Sequence, residues 1–356
     1  MARPSIKDVA ERSGVSYKTV SRVINHLPDV NPATRRRVET AVAELGYQPD
    51  PAARSLRRGR VQALRLLLVR RYERFLTEPF LDEAVSGIVD QAARAGYALM
   101  LEVVGPLDAD SPGLRNAERR VDGTLLIDGR RLSPLLPPSD RLAAPWIVLP
   151  TRPVREDVGW VYADFRGGAV QVVDHLLSLG HRHIAHLTGR LTLPERDRLT
   201  GYRQALATAG IRVDPHLIVA AGHLRHHGYA AMEKLLGRSV DFTAVFAVND
   251  LTALGAMECL QRRGIRVPED VSIVGFDDIY LARYAAPPLT TVRLPAYEMG
   301  VAATEMVIAA VEGDSRIPVG REFPVELRPR GSTGAAVSPG SRVDVEGGPA
   351  GIVERS

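Results

Sequence analysis

From residue 64 to residue 312 the chain alternates short apolar runs with amphipathic stretches, and no other feature restricts its possible folds as strongly. The runs at 64–69, 98–103, 123–127, 146–149, 160–163, 184–188, 217–221, 244–248 and 272–276 are the candidate strands. Helical spacing fills 80–95, 167–179, 196–209, 229–236, 251–263 and 296–312. Strands joined through helices form right-handed βαβ units, so an α/β, doubly wound parallel architecture is predicted. About ten strands are too many for one small open sheet, and two lobes are expected.

The first 60 residues read differently. Ser5 stands three residues before Asp8, a capping-box spacing, and the helix it opens stops before Gly14. Ser16 can cap a second helix over 17–25, with Val20, Val23 and Ile24 as its buried stripe. Asn31-Pro32 opens a third helix ending at Gly46, and Asp50-Pro51 repeats that signal for a short segment over 52–58. The formal charge of +4 is unevenly spread: residues 1–60 hold 12 Lys and Arg against 6 Asp and Glu, and the remainder is slightly acidic. A polyanionic partner is therefore expected for this block alone.

Several classes fall away. The single cysteine, Cys259, permits neither an internal disulfide nor a four-cysteine zinc site. His175, His181, His183 and His186 cluster in sequence without an acidic or thiol companion, so no metal site is expected. No GxGxxG follows the first strand and no GxxxxGK(S/T) occurs, so nucleotide enzymes lack their phosphate cradle and no cofactor is expected. No apolar run approaches the roughly 18–20 residues of a membrane helix, and the first residues have no apolar signal core. A soluble, cytoplasmic protein without a membrane partner is the expectation. Residues 332–356, glycine-rich with scattered apolar positions, are expected to form a disordered tail.

Helix, glycine turn and second helix within about 20 residues make the helix-turn-helix layout, whose second helix enters the DNA major groove. Tyr17, Lys18, Ser21 and Arg22 at the start of that helix are the candidate base readers. Arg22 and Lys18 can donate to guanine, while Tyr17 brings a ring and a hydroxyl. Ser5, Ser16, Thr19, Asn25, Thr34 and Arg35 are placed for phosphates, which set register without reading sequence. A polar face on a small helical module is the alternative reading of the same pattern.

The run IKDVAERSGVSYKTVSRVIN at 6–25 and its continuation VAELGYQPD at 42–50 resemble, without a gap, the N-terminal signature of the LacI/GalR family of bacterial transcription regulators. The resemblance implies that 50–60 is a hinge helix ordered on the operator. Leu56 would enter the minor groove, with Ala53, Arg54 and Arg57 around it. Such a helix is marginal in water on its own, and phosphates facing its arginines can supply the balance.

The runs DHLLSLGHRHIA (174–185), VFAVND (245–250), VGFDDI (274–279) and APPLTTV (286–292) resemble the effector domain of the same family. They imply a two-lobed periplasmic-binding-protein-like fold with three strands crossing between lobes. Parallel-sheet lobes bind ligands at the carboxyl ends of their strands, where Asn249-Asp250, Asp277-Asp278, Arg196 and Arg198 fall. By position, Arg198 resembles the arginine that holds effector oxygens, Asn249 and Asp277 match polar ligands, and Phe80 falls near a cleft residue. Asp250 and Asp278 read instead as helix caps or loop bonds.

This chain also departs from the family. It has Arg71 and Arg152 where small polar or acidic residues are common, Leu224 where an aromatic ring often covers a sugar, and a short segment at 105–122. Arg71, Arg152 and Arg198 can converge on an anionic effector such as a sugar phosphate. Paired instead with carboxylates, they would leave a neutral sugar or sugar derivative as the ligand.

The expected division is a DNA-binding domain at 1–49, a hinge at 50–60 and an effector-binding and dimerisation domain at 61–331. The latter splits into an N-lobe of about 61–160 and 292–331 and a C-lobe of about 161–291. The expected function is a homodimeric regulator, a repressor of carbohydrate uptake or catabolism genes, on a near-palindromic double-stranded operator. A small effector controls it and no enzymatic activity is expected. A non-regulatory sugar-binding protein would share the body but lack the basic head, and a doubly wound enzyme would share only the sheets.

Overall fold

The computed structural model describes residues 4–24, 29–47, 60–69, 79–104, 121–128, 136, 138–139, 144–153, 155–189, 192–238, 240–313 and 320–337. The expected hinge residues Ala53, Arg54, Leu56 and Arg57, together with Asn25, Arg71 and the tail from 338, lie outside the described residues. The chain divides into two compact units, Met1–Gln62 and Ala63–Ser356.

The first unit consists of α1 (Ile6–Ser13), α2 (Tyr17–Ile24) and α3 (Pro32–Leu45) around Val9, Val20, Val23, Val38 and Ala41. Its local signals act where they were read. The Ser5 hydroxyl accepts from Asp8 N and the Asp8 carboxylate accepts from Ser5 N at 2.7 Å, closing the capping box. Asn31 Oδ1 accepts from Ala33 N at 2.8 Å, beside Pro32 at the first helical position. Gly14 ends α1 with φ of +65°, which a Cβ would strain.

The second unit runs β1 (Ala63–Val69), α4 (Pro79–Arg94), β2 (Ala98–Val104), β3 (Gly123–Ile127), β4 (Trp146–Leu149), β5 (Gly159–Ala163), α5 (Phe165–Ser178) and β6 (Ile184–Thr188). It continues with α6 (Leu193–Thr208), β7 (Ile218–Ala220), α7 (Arg225–Leu236), β8 (Ala244–Ala247), α8 (Asp250–Gln261) and β9 (Ser272–Val274). It closes with β10 (Thr291–Arg293), α9 (Ala296–Glu312), β11 (Arg321–Phe323) and β12 (Glu326–Arg328).

Six parallel strands in the order β11-β5-β4-β3-β1-β2 form the N-lobe sheet, and four in the order β7-β6-β8-β9 form the C-lobe sheet. The central strands β3, β4, β6 and β8 are buried throughout, as sheets covered on both faces require. The chain passes between lobes three times: from β5 into α5, from β10 into α9, and from β11 into β12. On the N-lobe, α4 and α9 cross at Gly87 and Gly300, where an added Cβ would stand 2.1 Å from the Tyr297 and Ala84 carbonyl oxygens respectively.

Three expectations need correcting. Strands β10, β11 and β12 were not anticipated, because three residues each are too few to display a period. The lobe boundaries shift as well. All of β5 lies in the N-lobe sheet, while β12 pairs antiparallel with β10 and packs on α5 of the C-lobe. The tail does not begin at 332: Ser332 is fully buried, its carbonyl accepts from Ile273 N at 2.8 Å, and Ala336 N donates to Leu179 O at 2.8 Å. The open edge of β9 supplies the partners that composition could not reveal.

Candidate functional site

The second helix of the head leaves three of its four expected base readers exposed. Tyr17 is 54 % exposed, Lys18 and Arg22 are exposed, and the Arg22 guanidinium pairs with the Asp29 carboxylate across the turn before α3. Ser21 does not join them. It is 4 % exposed, because it follows Val20 at the margin of the packed face and closes against the core. Ser16 Oγ accepts from Thr19 N at 3.2 Å and lies 2.9 Å from Thr19 Oγ1, so both hydroxyls sit at the start of α2. Ser5 is exposed on its cap, and Thr34 and Arg35 are half-buried in the first turn of α3.

In the body, four chain segments converge at the carboxyl ends of the C-lobe strands. The first turns of α6 follow β6 and bring Glu195 and Arg198. Arg198 is 4 % exposed, and its guanidinium lies 5.2 Å from the Phe165 ring and 4.8 Å from the Phe276 ring. Its Nε has no hydrogen-bond partner. Burial pulls its pKa below the ordinary value, against the favourable charges of Asp277 and Glu195.

Asp277 and Asp278 follow β9 with φ of 120° and 60°, left-handed conformations that non-glycine residues hold only under surrounding constraint. Hydrogen bonds from Asp277 N to Val292 O and from Leu294 N to Asp277 O supply part of that constraint. Asp278 is fixed by Arg330 at 2.5 Å, and Arg283 approaches to 3.7 Å. Asp250 accepts from Thr291 Oγ1 at 2.5 Å and from Ile279 N at 2.9 Å; burial and the Asp277 charge hold its carboxyl well above the usual range. Both neighbours of the expected ligands are thus loop braces, as their loop-bond reading anticipated.

Asn249 has partners within the protein at both ends of its amide. Its Oδ1 accepts from Thr252 N at 2.9 Å, making it the cap of α8, and its Nδ2 donates to His223 O at 3.0 Å. Arg196 is exposed, and Leu224 is half-buried at the start of α7. Arg152 is paired with Glu322 of β11 and stacks on Tyr162 at 4.5 Å, so it does not join Arg198 as an unpaired cation. Phe80 lines a cavity of about 500 Å³ with Asp277, Leu251, Tyr280, Leu294 and Tyr297. That wall carries five carboxylates (Asp82, Glu83, Asp277, Asp278 and Glu298) against the guanidiniums of Arg283 and Arg293.

Several participants were missed in the sequence. Tyr162 donates to Asp197 at 2.8 Å, and Phe165 and Phe276 form the aromatic floor under Arg198. Glu195 is 3 % exposed, bonded to His223 and Thr192 N, with its pKa down to about 2; those hydrogen bonds and the histidine outweigh the burial that opposes them. The Thr192-x-x-Glu195 capping-box spacing was its one legible signal. The histidine cluster disperses: His181 bonds Thr243, Ser272 and Gly334 O, while His186 stacks between Tyr202 and Phe246. Among the described residues no group of three or more His, Cys, Asp or Glu side chains is placed to hold a metal, and no helix is long and apolar enough to cross a membrane.

Residues 5–50 match the lacI family of bacterial regulatory proteins, and residues 173–333 match a periplasmic binding protein-like domain. The HTH-type transcriptional regulator CelR of Thermobifida fusca is 36 % identical over 321 residues, covering 89 % of this chain and 94 % of that protein. The chain belongs to the LacI family. It is a DNA-binding transcriptional regulator with an effector-binding body. Among solved structures, the lac repressor dimer bound to operator and the anti-inducer ONPF superposes with a TM-score of 0.83 at 26 % identity, over 94 % of this chain and all of that one. A CelR–cellobiose complex gives 0.70 at 34 % identity, over 93 % of this chain and all of that one.

Proposed function

We propose that this LacI-family regulator is a homodimeric repressor of carbohydrate uptake or catabolism genes, controlled by a neutral, hydroxyl-rich molecule bound between its lobes. The observation that carries the reading is Arg198, a buried guanidinium on an aromatic floor whose Nε has no protein hydrogen-bond partner. An unsatisfied buried donor is costly, and a ligand oxygen removes that cost. Neutrality is favoured over the anionic alternative because Arg152 is already paired with Glu322 and the carboxylates of Asp277, Glu195 and Asp197 already surround the Arg198 charge. A sugar ring suits the Phe165 and Phe276 rings and the carboxylates around Arg198, and a cellobiose-bound relative supports that class.

Dimerisation is supported by an apolar surface on the N-lobe edge, where Leu101 and Val103 of β2 and Val89 of α4 are 50 %, 38 % and 45 % exposed. On a near-palindromic operator, Lys18 and Arg22 would read bases while Leu56 of the hinge enters the central minor groove. Effector control is then a difference in affinity of one small molecule for two states of the body, typically 1–3 kcal/mol.

Calorimetry with cellobiose, glucose and glucose 6-phosphate, on wild type and Arg198→Lys, tests the effector reading. Neutral-sugar binding that is lost in the variant is expected. Exclusive binding of the phosphorylated sugar would overturn neutrality, and an unaffected variant would remove Arg198 from the site. For the hinge, Leu56→Ala is expected to weaken operator binding more than random-DNA binding; equal loss on both would sink the wedge.

A further inference from the structure

We infer that His223, backed by Glu195, is a specificity-determining residue of the cleft, accepting a hydrogen bond from an effector hydroxyl beside Arg198. This rests on the neutral-effector reading and adds the residue that enforces it. Asn249, the position first expected to contact ligand, spends its amide on the cap of α8 and on the His223 carbonyl. Thr252 Oγ1 donates to the Gly222 carbonyl at 2.7 Å, so the main chain before and at His223 is pinned to α8. The result is a fixed histidine on the loop after β7, at the same sheet edge as Arg198 and Asp277.

The ring is oriented from its other side. Nε2 meets Glu195 Oε1, and the second Glu195 oxygen accepts from Thr192 N at 2.7 Å. A carboxylate only accepts, so Nε2 must carry the hydrogen, and in the neutral ring Nδ1 is left as a lone-pair acceptor. No described residue bonds that nitrogen, and the side chain keeps 15 % of its surface accessible while Glu195 behind it keeps 3 %. Arg198 lies one helical turn beyond Glu195 on α6 and can only donate.

One donor and one acceptor, each interacting with Glu195, match a hydroxyl group, which both accepts and donates. A phosphate or carboxylate is acceptor-only and would oppose the Nδ1 lone pair. The charged and titratable groups facing the ring are Glu195 from α6 and His227 from α7, with the Arg198 charge also felt at Glu195.

Two measurements on the full-length protein decide this. In ¹⁵N spectra of the ligand-free protein, neutral His223 is expected as the Nε2–H tautomer, and an Nδ1–H tautomer would overturn the inference. Calorimetry then uses cellobiose, glucose, ribose and glucose 6-phosphate as probes. Wild type is expected to bind a neutral probe, His223→Ala to bind it about tenfold more weakly, and His223→Gln, which keeps an acceptor, to recover within about threefold. Melting curves of both variants report folding, and the glutamine variant carries the comparison if alanine fails to fold. Equal affinity in the alanine variant, or a glutamine variant as weak as alanine, would overturn the role of His223 alone. Wild type binding no neutral probe would overturn the effector reading and this inference with it.

Discussion

His186 offers a quantitative check on the C-lobe core. Its ring is fully buried between Tyr202 and Phe246, at centroid distances of 5.1 and 4.6 Å, and its Nδ1–H donates to the Phe246 carbonyl at 2.9 Å. Nε2 is buried without a partner, so a second proton would create an unpaired cation, repelled further by Arg198 and Arg203. Burial accordingly holds the ring's pKa down to about 4, from 6.5 in an unfolded chain.

The folded-state value is the lower one, so the unfolded chain binds the extra proton first as pH falls. Stability is undiminished above about pH 6.5, declines between there and pH 4, and levels off below. At about 1.36 kcal/mol per unit, the loss from this one group is about 2–3 kcal/mol at pH 4.5. Urea unfolding of wild type and His186→Phe at pH 7.5 and 4.5 isolates it. Phenylalanine keeps the stack but loses the hydrogen bond at both pH values, so only the double difference is diagnostic. Wild type should lose about 2–3 kcal/mol more than the variant on acidification. An equal acid loss in the two proteins, or a His186 titration near 6.5 by NMR, would refute the reasoning.

Other perturbations follow from the same geometry. Gly87→Ala forces a Cβ to 2.1 Å from the Tyr297 carbonyl oxygen and should cost about 1–3 kcal/mol, read as a lowered Tm, by pushing α4 from α9. Ser332→Ala removes an acceptor for Thr290 N at 2.8 Å and a donor to Ile273 O at 2.6 Å; a loss of about 1–3 kcal/mol in urea unfolding is expected, whereas a free tail would show none. Arg22→Ala should reduce discrimination between operator and single-base variants by about 1–3 kcal/mol per affected position in competition binding. Asp29→Asn, which releases the Arg22 guanidinium from its carboxylate, should strengthen binding to random DNA with little change in that discrimination.

The head was almost wholly legible in the sequence. Ser5, Gly14, Asn31-Pro32 and Gly46 act on backbone groups within a few residues of themselves, so the boundaries of α1 and α3 could be read directly. Ser21 escaped because burial at the margin of a helix face depends on how closely α1 and α3 approach, which no spacing encodes. In the body, apolar runs located the longer strands to within a few residues, since parallel sheets covered on both faces need them. The cleft was legible as a set of strand ends but not as a set of roles. Asn249 is a cap and a brace, Arg152 is paired with a residue 170 positions away, and Glu195 and His223 meet across 28.

The sequence by itself determined the helices and the longer strands, the separation of a basic head from a near-neutral body, and the family. These rest on caps, periodicity and charge, whose reach is one turn of chain. Only the tertiary structure decided that residues 326–336 return to the C-lobe, that Arg152 is paired with Glu322 while Arg198 lies buried on two aromatic rings, and that His223 is held by Glu195. Those outcomes depend on strand order and on which loops share a sheet edge, where the energy of a polar group is set by neighbours distant in sequence.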